Sequence, residues 1–209
     1  MVAKVRDMVG LYLNPPENAV VLCVEEQSGI QALERTQPML PLGWGYVEGV
    51  THDYRRHGTT RLFAALDTAQ GKVLTPGRKR DRQQEYLGFL RQIEKNVPQN
   101  LQVHVIVDNY APHKHLRVKR WFAARPRFPV HFTPSYATWL NPVEIWFHRI
   151  TQQAIRRGTF SRVKDWVKKI DHYVKKSNRQ AQPFVWTATA DSIFAKVERL
   201  CERISGTAH

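Results

Sequence analysis

The chain has 209 residues, of which 42% are hydrophobic, so it can bury a sizeable core in one domain or in one domain with appendages. Its 32 lysines and arginines outnumber its 18 acidic residues, which gives a formal charge of +14. This excess favours a protein that binds a polyanion, most of all nucleic acid, over a basic protein without such a partner. Two cysteines, Cys23 and Cys201, are too few for a disulfide framework, and no signal peptide or membrane-spanning run is visible. We therefore expect a soluble protein of the cytosol.

Three apolar or β-branched runs early in the chain predict strands: VVLCV (20–24), GWGYVEGV (43–50) and RLFAALD (61–67). Residues 1–18, with paired prolines, predict a lead-in segment. The first run leads into Glu25 and Glu26, which by themselves fit the solvated end of a strand. HDYRRHGTT (52–60) predicts a polar turn, and TAQGK (68–72) predicts a hairpin turn.

The remainder alternates between helical and strand patterns. Apolar spacing of three and four residues predicts helices at 80–97, 115–124, 142–157, from Val163 to Val174, and from Ala190 to Ile204. LQVHVIV (101–107) and FPVHFT (128–133) predict strands, the second at an edge because it contains Pro129. Three antiparallel strands followed by helix, strand, helix, strand and helix predict an α/β fold, a ribonuclease H-like mixed sheet with helices on both faces. The expected organisation is a lead-in at 1–18, the ribonuclease H-like domain at 19–180, and a C-terminal loop and helix at 181–209 that pack on it.

Asp108 directly follows the strand expected at 101–107, in the stretch VDNYAPHKH, and alone it is equally well explained as a turn residue. If the first and fourth strands lie side by side, Asp108 meets Glu25. Glu144, in WLNPVE, starts the helix 142–157 and can reach the same point, although it also complements the helix N-terminus. Three carboxylates favour Mg²⁺ or Mn²⁺ over Zn²⁺. Two such ions about 3.5–4 Å apart promote in-line phosphoryl displacement.

The stretches VVLCVEEQSGIQALERTQP, HDYRRHGTTRLFAALD, VHVIVDNYAPHKH, HFTPSYATWLNPVEIWF and PFVWTATADSIFAKVERLC occur in this order. Together they resemble the catalytic half of bacterial transposases of the insertion-sequence-630 group, in the mariner superfamily, which carry an Asp-Asp-Glu triad. The resemblance runs from about residue 10 to residue 204. It implies that Asp108 is the second family acid, Glu144 the third, and Glu25 the residue in place of the first Asp. Here VEEQ replaces the usual VDEK, so Gln27 also removes a basic group. The site is then either weakened or adapted to Glu25.

The resemblance implies a metal-dependent DNA strand-cleaving and strand-joining enzyme that uses two Mg²⁺ or Mn²⁺ ions held by Glu25, Asp108 and Glu144. It also implies cut-and-paste transposition into TA sites, double-stranded DNA of transposon ends and target as partners, a homodimer in the synaptic complex, and action at the nucleoid of the bacterial cytoplasm. The family carries helix-turn-helix modules before the catalytic domain. Only about 18 residues precede the first strand here, so we expect a catalytic domain alone.

Further residues are candidates for DNA contact because they are basic and cluster in polar stretches. They are Arg35, Arg55, Arg56, Lys79, Arg80, His113, Lys114, Arg156 and Arg157. Asn109 and Asn141 are expected to support the site. Because Asn is a favoured N-cap residue, we expect Asn141 to cap the helix that carries Glu144.

Two other functions stay open. Glu25 and the short N-terminal part also fit a catalytically impaired transposase fragment that serves as a DNA-binding or assembly module. A general ribonuclease H-like nuclease is the other alternative. A serine hydrolase is excluded because no nucleophile-elbow stretch surrounds any serine.

Overall fold

The computed structural model describes residues 2–35, 54–76, 82–108, 115–134, 140–156, 158–185, 191–196 and 198–199. In these ranges the strands form one sheet in the order β3-β2-β1-β4-β5. The strands are β1 (Ala19–Arg35), β2 (Tyr54–Asp67), β3 (Val73–Leu74), β4 (Gln102–Val107) and β5 (Val130–Phe132). The β1–β2 and β2–β3 pairs are antiparallel, whereas β1–β4 and β4–β5 are parallel. The predicted mixed sheet is therefore confirmed, including the adjacency of its first and fourth strands.

The first two strands are longer than the sequence predicted. β1 does not end at the acidic pair but continues to Arg35, and β2 begins at Tyr54, so most of the expected turn HDYRRHGTT is strand. The two strands stay paired through two register shifts. Gly29 and Gly58 lie in these irregular stretches with positive φ angles of 70° and 117°. Such bulges let a polar, glycine-containing segment remain paired. The strand predicted at 43–50 lies outside the described residues.

The hairpin turn predicted at 68–72 is confirmed. The Asp67 side chain accepts hydrogen bonds from the backbone N–H groups of Ala69 and Gln70, and Gly71 has a φ of +66°. The two-residue strand β3 follows this turn and was not predicted. It is too short to show a pattern in the sequence.

The helices are α1 (Val2–Leu13), α2 (Arg82–Asn96), α3 (Leu116–Ala123), α4 (Val143–Ile150) and α5 (Val163–Arg179). A π-helical turn, Thr151–Ile155, continues α4, and residues 191–196 are helical. α1 lies in the expected lead-in and was not predicted. It buries Val5, Met8 and Val9. None of the described helices is long and apolar enough to cross a membrane.

The helices cover the two faces of the sheet in separate groups. α2 and α3 pack on one face, called the α2/α3 face, against β1 residues such as Leu22 and Val24. α1, α4 and α5 pack on the other, called the α4/α5 face, where Val21 and Cys23 point. This alternation is the two-residue period of a strand buried on both sides. Because α1 and Ile193 share the core of the α4/α5 face, the segments 2–13 and 191–196 pack on the central domain, while the expected boundaries at 18 and 180 stay a prediction.

Candidate active site

The sheet register places the first two predicted acids next to each other. Cys23 is paired with Ile106 and Val24 with Val107, where β4 ends. The next residues along the two parallel strands are Glu25 and Asp108. Glu25 continues the alternation of Val21 and Cys23, so its side chain lies on the α4/α5 face. The strand pairing alone therefore brings these two positions to the same edge of the sheet.

The third predicted acid reaches the same edge from a helix. α4 packs on the α4/α5 face through Val143, Trp146 and Phe147, and Glu144 lies in its first turn. Much of the Glu144 side chain is exposed. Partial burial of its carboxyl group nevertheless raises its pKa, and the negative charge of Asp108 raises it further. Asp108 and Glu144 are thus close enough to repel each other.

A buried phenol on the opposite face senses the same negative charge. Tyr86 belongs to α2 and is 1% exposed. Burial raises its pKa first of all, and the charges of Asp108, Glu25 and Glu26 raise it further, in that order. The field of the acidic edge therefore extends through the sheet.

Glu25 is 8% exposed, and hydrogen bonds fix both of its carboxylate oxygens. Oε1 accepts from the backbone N–H of Glu26 at 3.0 Å, and Oε2 accepts from Nδ2 of Asn141 at 3.2 Å. The predicted capping role of Asn141 is wrong. The N-cap residue of α4 is Pro142, and no side chain caps this helix. Asn141 contributes its main-chain carbonyl, which accepts a hydrogen bond from the N–H of Glu144. No signal in the sequence indicates the side-chain contact, since it joins positions 116 residues apart.

The carboxylate of Glu26 points to the α2/α3 face, because successive residues of a strand point to opposite faces. Its Oε1 lies 2.7 Å from Nη1 of Arg61, and its side chain is 3% exposed. Arg61 follows the alternation of Phe63 and Ala65, which belong to the core of the α2/α3 face. Glu26 therefore has a structural partner and does not replace Glu25.

A pocket of about 360 Å³ opens between β1 and the α4 helix. Its described lining consists of Glu25, Glu26, Gln27, Glu144, Phe147, His148, Thr151, Gln152 and Arg156. Gln27 donates from Nε2 to the hydroxyl of Thr151 at 3.4 Å. The π-helical turn places Thr151 and Gln152 in this lining, and such turns recur at functional sites. Sequence reasoning missed His148 and Gln152, although their spacing of four and eight residues from Glu144 puts them on one helix face.

The other predicted residues are divided between two places. Arg156 lines the pocket. Arg55 and Arg56 are exposed near the start of β2, where they pair with the end of β1 that includes Arg35, well beyond Glu25 along the strand. The remaining candidates, Lys79, Arg80, Asn109, His113, Lys114 and Arg157, lie outside the described residues.

The donor atoms at this edge fit a hard divalent cation. Carboxylate oxygens dominate, and the buried Oδ1 of Asn141 and Oε1 of Gln27 have no hydrogen-bond partner. Oxygen donors of this kind suit Mg²⁺ or Mn²⁺ rather than Zn²⁺. Within the described ranges, no three His, Cys, Asp or Glu side chains are grouped closely enough to hold an ion. The donor chemistry therefore fits, while Asp108 is not among the pocket-lining residues with Glu25 and Glu144.

The sheet order and the acids at the β1–β4 edge define a ribonuclease H-like catalytic domain. Residues 23–166 match the family model described as DDE superfamily endonuclease, and the chain belongs to this family. All three predicted acids fall inside the matched range. The chain is also similar to the insertion element IS630 uncharacterized 39 kDa protein of Shigella sonnei, with 26% identity over 114 residues. That match covers 54% of this chain and 33% of the relative, so it spans a third of the relative's length.

Solved structures of Mos1 transposase share the fold. The catalytic domain of Mos1 mariner transposase superposes with a TM-score of 0.55 at 14% identity, covering 97% of this chain and 87% of that one. The Mos1 mariner paired-end complex with Mn gives 0.59 at 16% identity, covering 97% and 58%. The Mos1 strand transfer complex gives 0.57 at 16% identity, covering 97% and 57%. The predicted fold and the predicted resemblance to the insertion-sequence-630 group are confirmed.

Proposed function

We propose that this chain is the catalytic domain of a transposase that cuts DNA strands and joins their ends to a target. The observation that carries the proposal is the register Val24–Val107, since it sets Glu25 beside Asp108 at the edge where α4 presents Glu144. The family match and the likeness to Mos1 support it. Cut-and-paste transposition into TA sites of double-stranded DNA, by a homodimer at the bacterial nucleoid, completes the proposal.

Glu25, Asp108 and Glu144 would hold two Mg²⁺ or Mn²⁺ ions, and structures of the Mos1 catalytic domain with each metal support this choice. Bound ions of this kind activate a water or hydroxyl nucleophile and stabilise the leaving oxygen. The chain itself supplies preorganised charge. Burial and then the charge of Asp108 raise the pKa of Glu144, and a bound cation would relieve the repulsion between the two carboxylates. Arg156 would offer a positive group to a phosphate in the same pocket.

Glu25 replaces the family's shorter Asp, and its hydrogen bonds indicate an adapted position. The carboxylate folds back onto the N–H of the next residue, which takes up part of the additional length, and the Asn141 amide fixes the second oxygen. Each carboxylate oxygen can accept more than one bond, so both retain capacity for a further partner. We infer that Asn141 positions Glu25 for binding an ion.

The same contacts also favour the second candidate, an impaired fragment that binds DNA or assembles with partners. Both Glu25 oxygens already have partners within the chain, and no three acids of the described residues are grouped closely enough to hold an ion. The two proposals differ in one measurable respect, which is cleavage by the chain with its own Glu25.

Mn²⁺-dependent nicking of supercoiled plasmid tests this difference. The chain should nick, and Asp108→Ala should lower the rate at least about a hundredfold, because even supporting residues of metal sites contribute about 10–100-fold. Glu17→Ala, which removes an exposed carboxylate just before β1, is the matched control and should keep the rate. If the chain is inert and only the Glu25→Asp variant nicks the plasmid, the chain is an impaired fragment instead. Preferential cleavage of an RNA–DNA hybrid would favour a general nuclease.

A further inference from the structure

α5 carries more positive charge than its own stability requires. Its six lysines and arginines are all exposed, and they define the α5 basic face: Lys164, Lys168, Lys169, Lys175, Lys176 and Arg179. Two acids, Asp165 and Asp171, offset only part of this charge. Among the described residues, none of the six lies within ion-pair distance of a carboxylate.

The basic residues face solvent because of the helical period. Trp166, Ile170 and Val174 form the buried stripe of α5, packed into the core of the α4/α5 face. Residues 168, 175 and 179 lie on the opposite side at 100° per residue. The α5 basic face is thus a continuous outer surface of the molecule.

Helix energetics do not account for this arrangement. Basic residues near a helix C-terminus complement the macrodipole, which explains Lys176 and Arg179 but not Lys164 in the first turn. Lys164 and Lys168 are also four residues apart, and like charges at this spacing destabilise a helix. A charge pattern that costs helix stability suggests selection for an anionic partner.

The α5 basic face lies on the same side of the sheet as the pocket. The Tyr173 hydroxyl donates to Oε1 of Gln153 at 3.1 Å, which joins α5 to the π-helical turn. The neighbouring residues of that turn, Thr151 and Gln152, line the pocket. A long polyanion can therefore lie on α5 and continue toward the acidic edge.

We propose that the α5 basic face docks the phosphate backbone of duplex DNA whose strand is held in the pocket. The proposal rests on the function proposed above for that pocket. Lys164 to Lys176 spans about 18 Å along the helix. One DNA strand carries a phosphate about every 3.4 Å along the duplex axis, so several phosphates lie within reach. Lysine contacts of this type hold DNA without reading its sequence.

The test is the affinity of the full chain for a fluorescent duplex, measured by anisotropy at several salt concentrations in EDTA, where no cleavage occurs. The triple variant Lys168→Gln/Lys175→Gln/Arg179→Gln should bind about tenfold more weakly. Its plot of log affinity against log salt should be shallower by about 2–3. The control Arg91→Gln/Lys95→Gln/Lys119→Gln removes the same charge from exposed positions of α2 and α3, and it should bind within about twofold of the unmodified chain.

The outcomes separate this proposal from the function of the pocket. Equal affinity of the two triple variants would overturn the docking surface, while Asp108-dependent nicking would still stand. The proposal would also be overturned if the α5 triple variant lost binding to anionic lipid vesicles but kept its affinity for the duplex. A folding defect is detected by thermal melting. The α5 variant should melt close to the unmodified chain, because the like-charge repulsion that it loses offsets the lost interaction of Arg179 with the helix dipole.

Discussion

The two faces of the sheet treat neighbouring acids of β1 in opposite ways. On the α2/α3 face, Glu26 is paired with Arg61 beside an aromatic core that includes Phe63, Tyr86 and Phe89. On the α4/α5 face, the Glu25 carboxylate accepts hydrogen bonds from the Asn141 amide and from the backbone N–H of Glu26. One face pairs its carboxylate with an arginine, whereas the other places its carboxylate at the sheet edge where β4 leads into Asp108.

One strand can therefore contribute a residue to the core on one face and a residue to a candidate site on the other. Successive residues of a strand point to opposite faces, so a VEE stretch supplies one acid to each. The Glu26–Arg61 ion pair lies at the end of the hydrophobic core of the α2/α3 face. Glu25 lines a pocket with Gln27, whose buried Oε1 has no hydrogen-bond partner, and such an oxygen lowers stability. The consequences of mutation should therefore differ sharply between the faces.

The largest effect is expected from breaking the pair on the α2/α3 face. Arg61→Met should lower the free energy of unfolding by about 3–5 kcal/mol, because it leaves the carboxylate of Glu26 buried without its cation. Urea denaturation measures this loss. The double variant Glu26→Gln/Arg61→Met should recover most of it, since no buried charge remains.

Arg117→Met, at an exposed position of α3, is the matched control and should change stability by less than about 0.5 kcal/mol. If Arg61→Met were as mild as this control, the pair would contribute nothing to the core. The contrast between Glu25 and Glu26 would then be lost.

An intermediate effect is expected on the α4/α5 face, where the sign should depend on metal. Asn141→Leu removes a hydrogen bond to a charged group and should cost about 1.5–3 kcal/mol. Asn141→Asp instead places a second negative charge beside Glu25. It should melt at a lower temperature in EDTA, and millimolar Mn²⁺ should raise its melting temperature more than that of the unmodified chain.

The comparison between Asn141→Asp and Asn141→Leu identifies the cause. Only the Asp variant should gain in its response to Mn²⁺, because only it adds a carboxylate to the acidic edge. An equal response of both variants and the unmodified chain would mean that Asn141 supports the fold without positioning Glu25 for an ion.

The site was predictable where its determinants are local in sequence, and not where they are tertiary. Asp108 follows a β-branched strand, and Glu144 follows Pro142 at a helix start, so pattern and resemblance predicted both as candidate ligands. The contact of Asn141 with Glu25 left no trace in the sequence because it depends on how α4 docks onto the sheet. The polar start of β2 resembles a turn in the sequence. Its residues pair with β1 but are exposed, so they do not show the alternation of apolar and polar residues that marks a half-buried strand. α1 was not predicted because the paired prolines Pro15 and Pro16, which cannot join a strand ladder, marked residues 1–18 as a lead-in segment.

The smallest effect concerns Glu144 and its dependence on pH. Its pKa in the folded chain is raised above its ordinary value of 4.5, first by partial burial and then by Asp108. The folded state therefore binds this proton more tightly than the unfolded state, and ionised Glu144 weakens the fold. This penalty is absent below the unfolded pKa, grows as pH rises, and is complete above the folded pKa. Glu144→Gln removes it, so the variant should gain stability over the unmodified chain at pH 7 but not near pH 4.

Urea unfolding at the two pH values, without metal, measures this gain. Repeating it in an Asp108→Asn background should reduce the gain at pH 7, because one of the two causes of the raised pKa is then gone. An unchanged gain would assign the shift to burial alone and would separate Asp108 electrostatically from Glu144. Since both carboxylates are expected to share an ion, such independence would weaken the proposed metal site more directly than a loss of activity, which also follows from misfolding.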